Sequence, residues 1–141
     1  MGIQWTSADY IVFADNDCWI VNQPDSWVQR GIDILKSNRD IFIVSPNDGE
    51  PERRTQTFSQ QMFLVNVEDF RQADLNQPGY SGNPNDYPEM PEYHGMLEGR
   101  MSWYCRGVGR YRYVMPSEYR YWHFNRLTED GHFETDLSKY G

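Results

Sequence analysis

The sequence predicts an α/β fold, one sheet flanked by helices, and three observations carry that prediction. Tyr10–Ala14 (YIVFA) and Ile41–Ser45 (IFIVS) are continuously apolar, as strands covered on both faces are. Between them, Trp27–Ser37 spaces Val28, Ile32 and Leu35 three to four residues apart with Ile34 flanking, so one helical face is apolar and packs on a sheet. The strand, helix, strand order argues for layers of α and β rather than a sandwich. At 141 residues the chain suits one compact domain with a sizeable core.

Taken in order, Tyr10–Ala14 reads as a central strand because both of its faces look apolar, and it ends at Asp15. Residues 18–21 form a short second strand or an extended turn. Asp25 or Ser26 then caps the helix that begins at Trp27, and Asn38-Arg39-Asp40 closes it. Ile41–Ser45 is the next strand, followed by the strong turn signal Pro46-Asn47-Asp48-Gly49. The stretch RRTQTFSQQMFLVNV holds a further extended segment, best at 61–67, and 68–75 can make a short helix. Residues 76–91 form a Gly, Pro, Asn and Tyr-rich loop, of the length that is usually functional inside a compact domain. A helix over 92–105 gathers Tyr93, Met96, Leu97, Met101 and Tyr104 or Cys105 on one side, with Gly107 and Gly109 stopping it. The last strand is 111–115, before Pro116. One domain over 1–126 and an acidic, loosely held tail over 127–141 complete the layout.

The formal charge of −8 opposes broad contact with a phosphate backbone and excludes nucleic acid as the main partner. Charge is segregated, however. Residues 99–126 hold six arginines (Arg100, Arg106, Arg110, Arg112, Arg120 and Arg126) against the single acid Glu118. Such a segment is either a solvated face or a basic wall for an anionic group such as a diphosphate. Cys18 and Cys105 make neither a disulfide framework nor a metal pattern and read as reduced core residues. No apolar run approaches the roughly 20 residues of a membrane span and no signal-peptide pattern occurs, which reads as a soluble, cytoplasmic chain.

Asp15-Asn16-Asp17 follows the first strand without a polar linker. Ligands of open α/β sheets bind outside the carboxyl ends of the strands. Two carboxylates two residues apart, on a chain leaving its strand there, can converge on one hard cation such as Mg²⁺ or Mn²⁺. The same spacing also occurs in turns, where each carboxylate accepts backbone N–H bonds.

These segments together carry a family resemblance. The strand YIVFADND, the helix SWVQRGIDILKSN, the strand DIFIVSPND, the segment FSQQMFLVNVEDF and the final GRYRYVMPSEYRYWHF resemble the glycosyltransferases of the GT-A fold, particularly the large family (family 2-like) of inverting enzymes that use nucleotide-diphosphate sugars. The resemblance implies a truncated, Rossmann-like GT-A sheet flanked by helices, matching the later part of that domain. It implies a metal-dependent transfer of a sugar from a nucleotide-diphosphate donor to an acceptor hydroxyl, with Mn²⁺ or Mg²⁺ as cofactor. Asp15 would contact the sugar-nucleotide and Asp17 would hold the metal, with His123 as a late metal ligand or diphosphate contact. Glu98 would be the catalytic base, although Gly99 stands where the family's Glu-Asp pair has its Asp; Glu89 and Glu92 are fallback acids.

Residue type adds Arg120 as a donor-side contact and Gln60, Gln61 and Tyr93 as acceptor contacts, since neutral amides both donate to and accept from hydroxyls. Each of these has a plainer alternative: His123 among Tyr121, Trp122 and Phe124 packs as an aromatic neighbour, Glu98 pairs with Arg100, and Gln60 and Gln61 serve ordinary strand pairing. Only 14 residues precede Asp15, where the family normally has the half-domain that holds the nucleoside. A fragment, an assembly with a second copy or another chain, and a scaffold that has lost transfer are the three expectations from that shortfall. The third makes the chain a non-catalytic sugar- or nucleotide-binding or assembly module, and a metal-dependent phosphotransfer or hydrolysis enzyme using the same acids is a more distant reading.

Overall fold

The computed structural model describes residues 5–20, 22–47, 49–58, 62–75 and 97–123, His123 through its backbone alone. The chain builds strands β1 (Tyr10–Ala14) and β2 (Cys18–Ile20), helix α1 (Trp27–Ser37), strands β3 (Ile41–Ser45), β4 (Arg53–Thr55) and β5 (Met62–Asn66), helices α2 (Val67–Ala73) and α3 (Leu97–Val108), strand β6 (Tyr111–Val114), a short 3₁₀ turn at Ser117–Tyr119, and strand β7 (Tyr121–His123).

Five strands form one sheet in the order β1-β5-β3-β6-β4, and β2 and β7 form a separate two-stranded ribbon. Both β1 and β3 pair antiparallel with β5, β3 is parallel to β6, and β4 is antiparallel to β6. Thus β1, β3 and β6 point the same way while β5 and β4 run against them. The sheet is mixed: the antiparallel β5 lies between the parallel β1 and β3, which β2 and α1 connect in sequence.

Its two faces explain the burial. On one side Trp27 packs with Ile41, Val44, Met62, Leu64 and Met115 beneath α1; on the other Phe42, Ile43, Phe63, Val65 and Phe70 meet Met101 and Cys105 of α3. β3 lies between both layers, and all five of its residues are buried. The Phe13 ring stacks on Phe63 at 5.0 Å and on Phe70 at 5.7 Å, which ties β1 to β5 and α2.

Helix α1 starts at Ser26, whose side chain accepts from the Gln29 N–H at 3.2 Å. It ends at Asn38, whose amide donates to the Ile34 carbonyl at 2.9 Å. Gly31 is where the helix comes nearest the sheet: a Cβ there would stand 2.7 Å from Leu64 Cδ2 and 3.4 Å from Val44 Cγ1.

Several expectations need correction. β1 is an edge strand, not a central one: among the described residues it is hydrogen-bonded to β5 alone. Helix α3 continues through Gly107 to Val108 and stops before Gly109, which lies in the left-handed region (φ +71°). The strand at 111 is not the last, since β7 follows it, and β4 was not resolved from the longer extended stretch. Cys105 is a core residue, but Cys18 is only half-buried; both are free thiols. Among the described residues no helix is long and apolar enough to cross a membrane. The loop at 76–91 and the tail at 127–141 lie outside the described residues.

Candidate functional site

The two aspartates leave β1 in a tight turn. The Cys18 N–H donates to the Asp15 main-chain carbonyl at 3.3 Å, so the turn is closed by backbone and the Asp15 carboxylate takes no part in that bond. Asp15 is exposed and Asp17 half-buried. Burial raises the Cys18 thiol to about 11, and the Asp15 and Asp17 carboxylates add to that rise. Both negative charges therefore act on one point beside the turn. Carboxylate oxygens are hard donors of the kind a divalent cation such as Mg²⁺ or Mn²⁺ takes. Among the described residues no group of three or more His, Cys, Asp and Glu side chains gathers as a metal site.

The ribbon brings the end of the chain to this turn. Cys18 pairs with His123, Trp19 with Trp122 and Ile20 with Tyr121. His123 thus sits across from Cys18 and next to Asp17 in register, a placement stated for its backbone. Arg120 lies beyond the far rung of the ribbon, three residues from His123, or about 10 Å along an extended strand.

Asn47 fixes where the ribbon and Arg120 lie. It is 1% exposed, at the end of β3, and its side-chain amide donates to the carbonyls of Glu50 and Met115, both at 2.8 Å. Its carboxamide oxygen accepts from the Gly49 N–H at 2.8 Å, an Asx-type turn. Its backbone N–H donates to the Tyr119 carbonyl at 2.8 Å and its carbonyl accepts from Tyr121 at 3.1 Å. One buried residue thus joins β3, β6 and the start of β7.

The turn that Asn47 makes presses on Arg120. Gly49 has φ +99°, and a Cβ there would lie 3.1 Å from Arg120 Nη2. The Arg120 guanidinium carbon is 4.0 Å from the centroid of the Trp122 ring, a cation–π stack. Gln23 donates to the Arg120 carbonyl at 3.3 Å. The Arg120 Nε is buried with no hydrogen-bond partner among the described residues. A cation held by stacking, with a donor unused, is suited to an anionic oxygen.

Glu98 stands on the first turn of α3 and is half-buried. Only Gly109 and Arg110 separate α3 from β6. The nearby Arg100 donates to the Leu75 carbonyl at 2.8 Å. Gln60, Gln61 and Tyr93 lie outside the described residues, as do Glu89, Glu92 and Arg126.

The arginine-rich segment is not one wall. Arg112 is buried, 5.9 Å from the centroid of Phe58. Arg110 binds Asp69 through two hydrogen bonds of 2.7 Å at the opposite end of the sheet. Alternation along β6 and the change of direction after Pro116 send these side chains to different places. A cleft of about 390 Å³ beside α1, lined by Arg30, Asp33, Asn38, Tyr113 and Tyr119, and another of about 590 Å³ around Lys36, Arg39 and Arg110 are both lined by residues other than Asp15 and Asp17.

Asn47, Gly49 and Trp122 are the parts of this site that the sequence did not expose. The Asn-x-Gly pattern was visible as a turn, but not that its backbone would hold a strand from more than 70 positions later. No protein-family model, curated protein or solved structure matches the chain.

Proposed function

We propose that the chain is a metal-dependent glycosyltransferase of the GT-A type, or the catalytic portion of one, that moves a sugar from a nucleotide-diphosphate donor to an acceptor hydroxyl. The observation that carries this reading is the pair Asp15 and Asp17 at the carboxyl end of β1, both acting on Cys18, with the His123 backbone directly across the ribbon. In this reading Asp17 holds the metal, Asp15 assists, and His123 joins them. A divalent cation bound there supplies charge neutralisation for the diphosphate leaving group.

The chain's own residues do the rest. Arg120, stacked on Trp122, donates hydrogen bonds to diphosphate oxygens. As the acceptor oxygen bonds to the anomeric carbon, the bond from that carbon to the diphosphate breaks and its electron pair leaves with the diphosphate. Glu98 takes the proton from the acceptor hydroxyl.

Calorimetry with Mn²⁺ and a panel of nucleoside diphosphates tests the reading. Binding that requires the metal and disappears in Asp17→Ala is the expected result. Carbohydrate or nucleotide binding indifferent to both metal and Asp17 would instead make this a non-catalytic binding module.

A further inference from the structure

We propose that β1 is an interface at which a second copy of this chain pairs antiparallel, joining two five-stranded sheets into one. The direction of its hydrogen bonds is fixed by its partner. Asp9 accepts from the Val67 N–H at 2.9 Å, and Ile11 and Phe13 stand opposite Val65 and Phe63. Residues 9, 11 and 13 therefore bond inward to β5, and the N–H and C=O groups of Tyr10, Val12 and Ala14 point outward, where no described strand meets them.

The two edges of the sheet are built differently. β4 carries Arg53 and Arg54 just after Pro51, the charge and proline that keep an edge from pairing. β1 has neither charge, proline nor bulge in YIVFA. Of the six large apolar side chains exposed among the described residues, four fall on β1 and its flanks: Trp5 (88%), Trp19 (55%), Ile20 (40%) and Val12 (39%). A five-residue strand pair alone buries less than a stable dimer needs, and these flanks supply the remainder. They are also self-complementary: in an antiparallel pair the Trp5 end of each copy approaches the Asp17 to Ile20 end of the other, so one patch serves both chains.

Charge selects the register. Symmetry about Val12 would set Asp9 against Asp15 of the second copy, opposing like charges. Symmetry about Ile11 sets Tyr10 against Val12, Asp9 against Phe13 and Asp15 against Ser7, and removes the clash. With −8 on each chain, the pair tightens as salt screens the repulsion.

Sedimentation of the full chain from about 1 to about 100 µM, at low and high salt, tests the proposal. A monomer–dimer equilibrium that tightens with salt is expected. Val12→Pro removes an outward N–H without touching the ladder to β5, and Val12→Lys adds an edge charge. Each should weaken dimerisation at least about tenfold while circular dichroism stays that of the wild type. If the proline variant does not fold, the lysine variant and the exchange of the wild-type Val12 amide decide, that amide becoming protected as concentration rises. A wild-type monomer throughout, a dimer indifferent to both variants, or a Val12 amide protected equally at all concentrations, as pairing with the chain's own 124–141 would give, overturns it. None of these readouts depends on metal or nucleotide.

Discussion

The two ends of the sheet handle charge in opposite ways. At the amino ends of β3 and β6, Arg110 gives two 2.7 Å bonds to Asp69, one of 3.0 Å to the Arg39 carbonyl and one of 3.0 Å to the Ile41 carbonyl, and lies 5.2 Å from the centroid of the Phe42 ring. Burial works against its charge, but the Asp69 bonds outweigh it and the guanidinium is held more firmly protonated than usual. At the carboxyl ends, burial together with the Asp15 and Asp17 carboxylates raises the Cys18 thiol, and Arg120 stacks on Trp122 with its Nε given no hydrogen bond among the described residues. Charges that satisfy one another hold a fold together.

Exchanging the ends in experiment sharpens this contrast. Asp17→Ala should abolish metal-dependent nucleoside-diphosphate binding in calorimetry and leave the urea midpoint near that of the wild type; a lost midpoint would make Asp17 a structural residue like Asp69. Asp69→Ala should do the reverse, costing about 2–3 kcal/mol in urea unfolding because Arg110 is left partly buried without its counter-charge, with ligand binding retained. Asn47→Ala should cost about 2 kcal/mol, since it removes three hydrogen bonds at a buried position, and should also weaken diphosphate binding by releasing the β7 ribbon. Gly31→Ala should cost about 1–3 kcal/mol, the range for overpacking, because Leu64 is buried and has little room to yield.

The smallest effect is the most direct report on the acid pair. With its thiol pushed up to about 11, Cys18 should react with a disulfide reagent at pH 8 far more slowly than an ordinary exposed cysteine. The sign follows from the carboxylates: they disfavour the thiolate, so a divalent cation that neutralises them lowers the thiol and speeds labelling. Adding Mg²⁺ should raise the Cys18 rate several-fold in the wild type and leave it unchanged in Asp15→Asn/Asp17→Asn. Cys105, buried in the core, stays silent in both.

What the sequence carried and what it did not divide along physical lines. β1, α1 and β3 have the boundaries their local patterns predicted, because continuous apolar runs, a Ser cap and helical spacing are all short-range signals. The three-residue strands β4 (RRT) and β7 (YWH) carry no such pattern and owe their form to the strands beside them. The apolar pattern of YIVFA read as a central strand, whereas the short stretch before Asp15 pointed to an unpaired edge at Tyr10–Ala14, and β1 does end the described sheet. In the site, the spacing of Asp15 and Asp17 was legible as two letters in a string. The position of Arg120 and Trp122 was not, because the contact of Asn47 with residues 119–121 sets it.

The ribbon joins positions that lie 105 apart in the chain, Cys18 and His123. A polypeptide emerging from its N-terminus therefore displays both aspartates long before the strand that braces their turn has been made. The pairing that braces the acid pair's turn is therefore a long-range contact, of the kind that costs most loop-closure entropy to form.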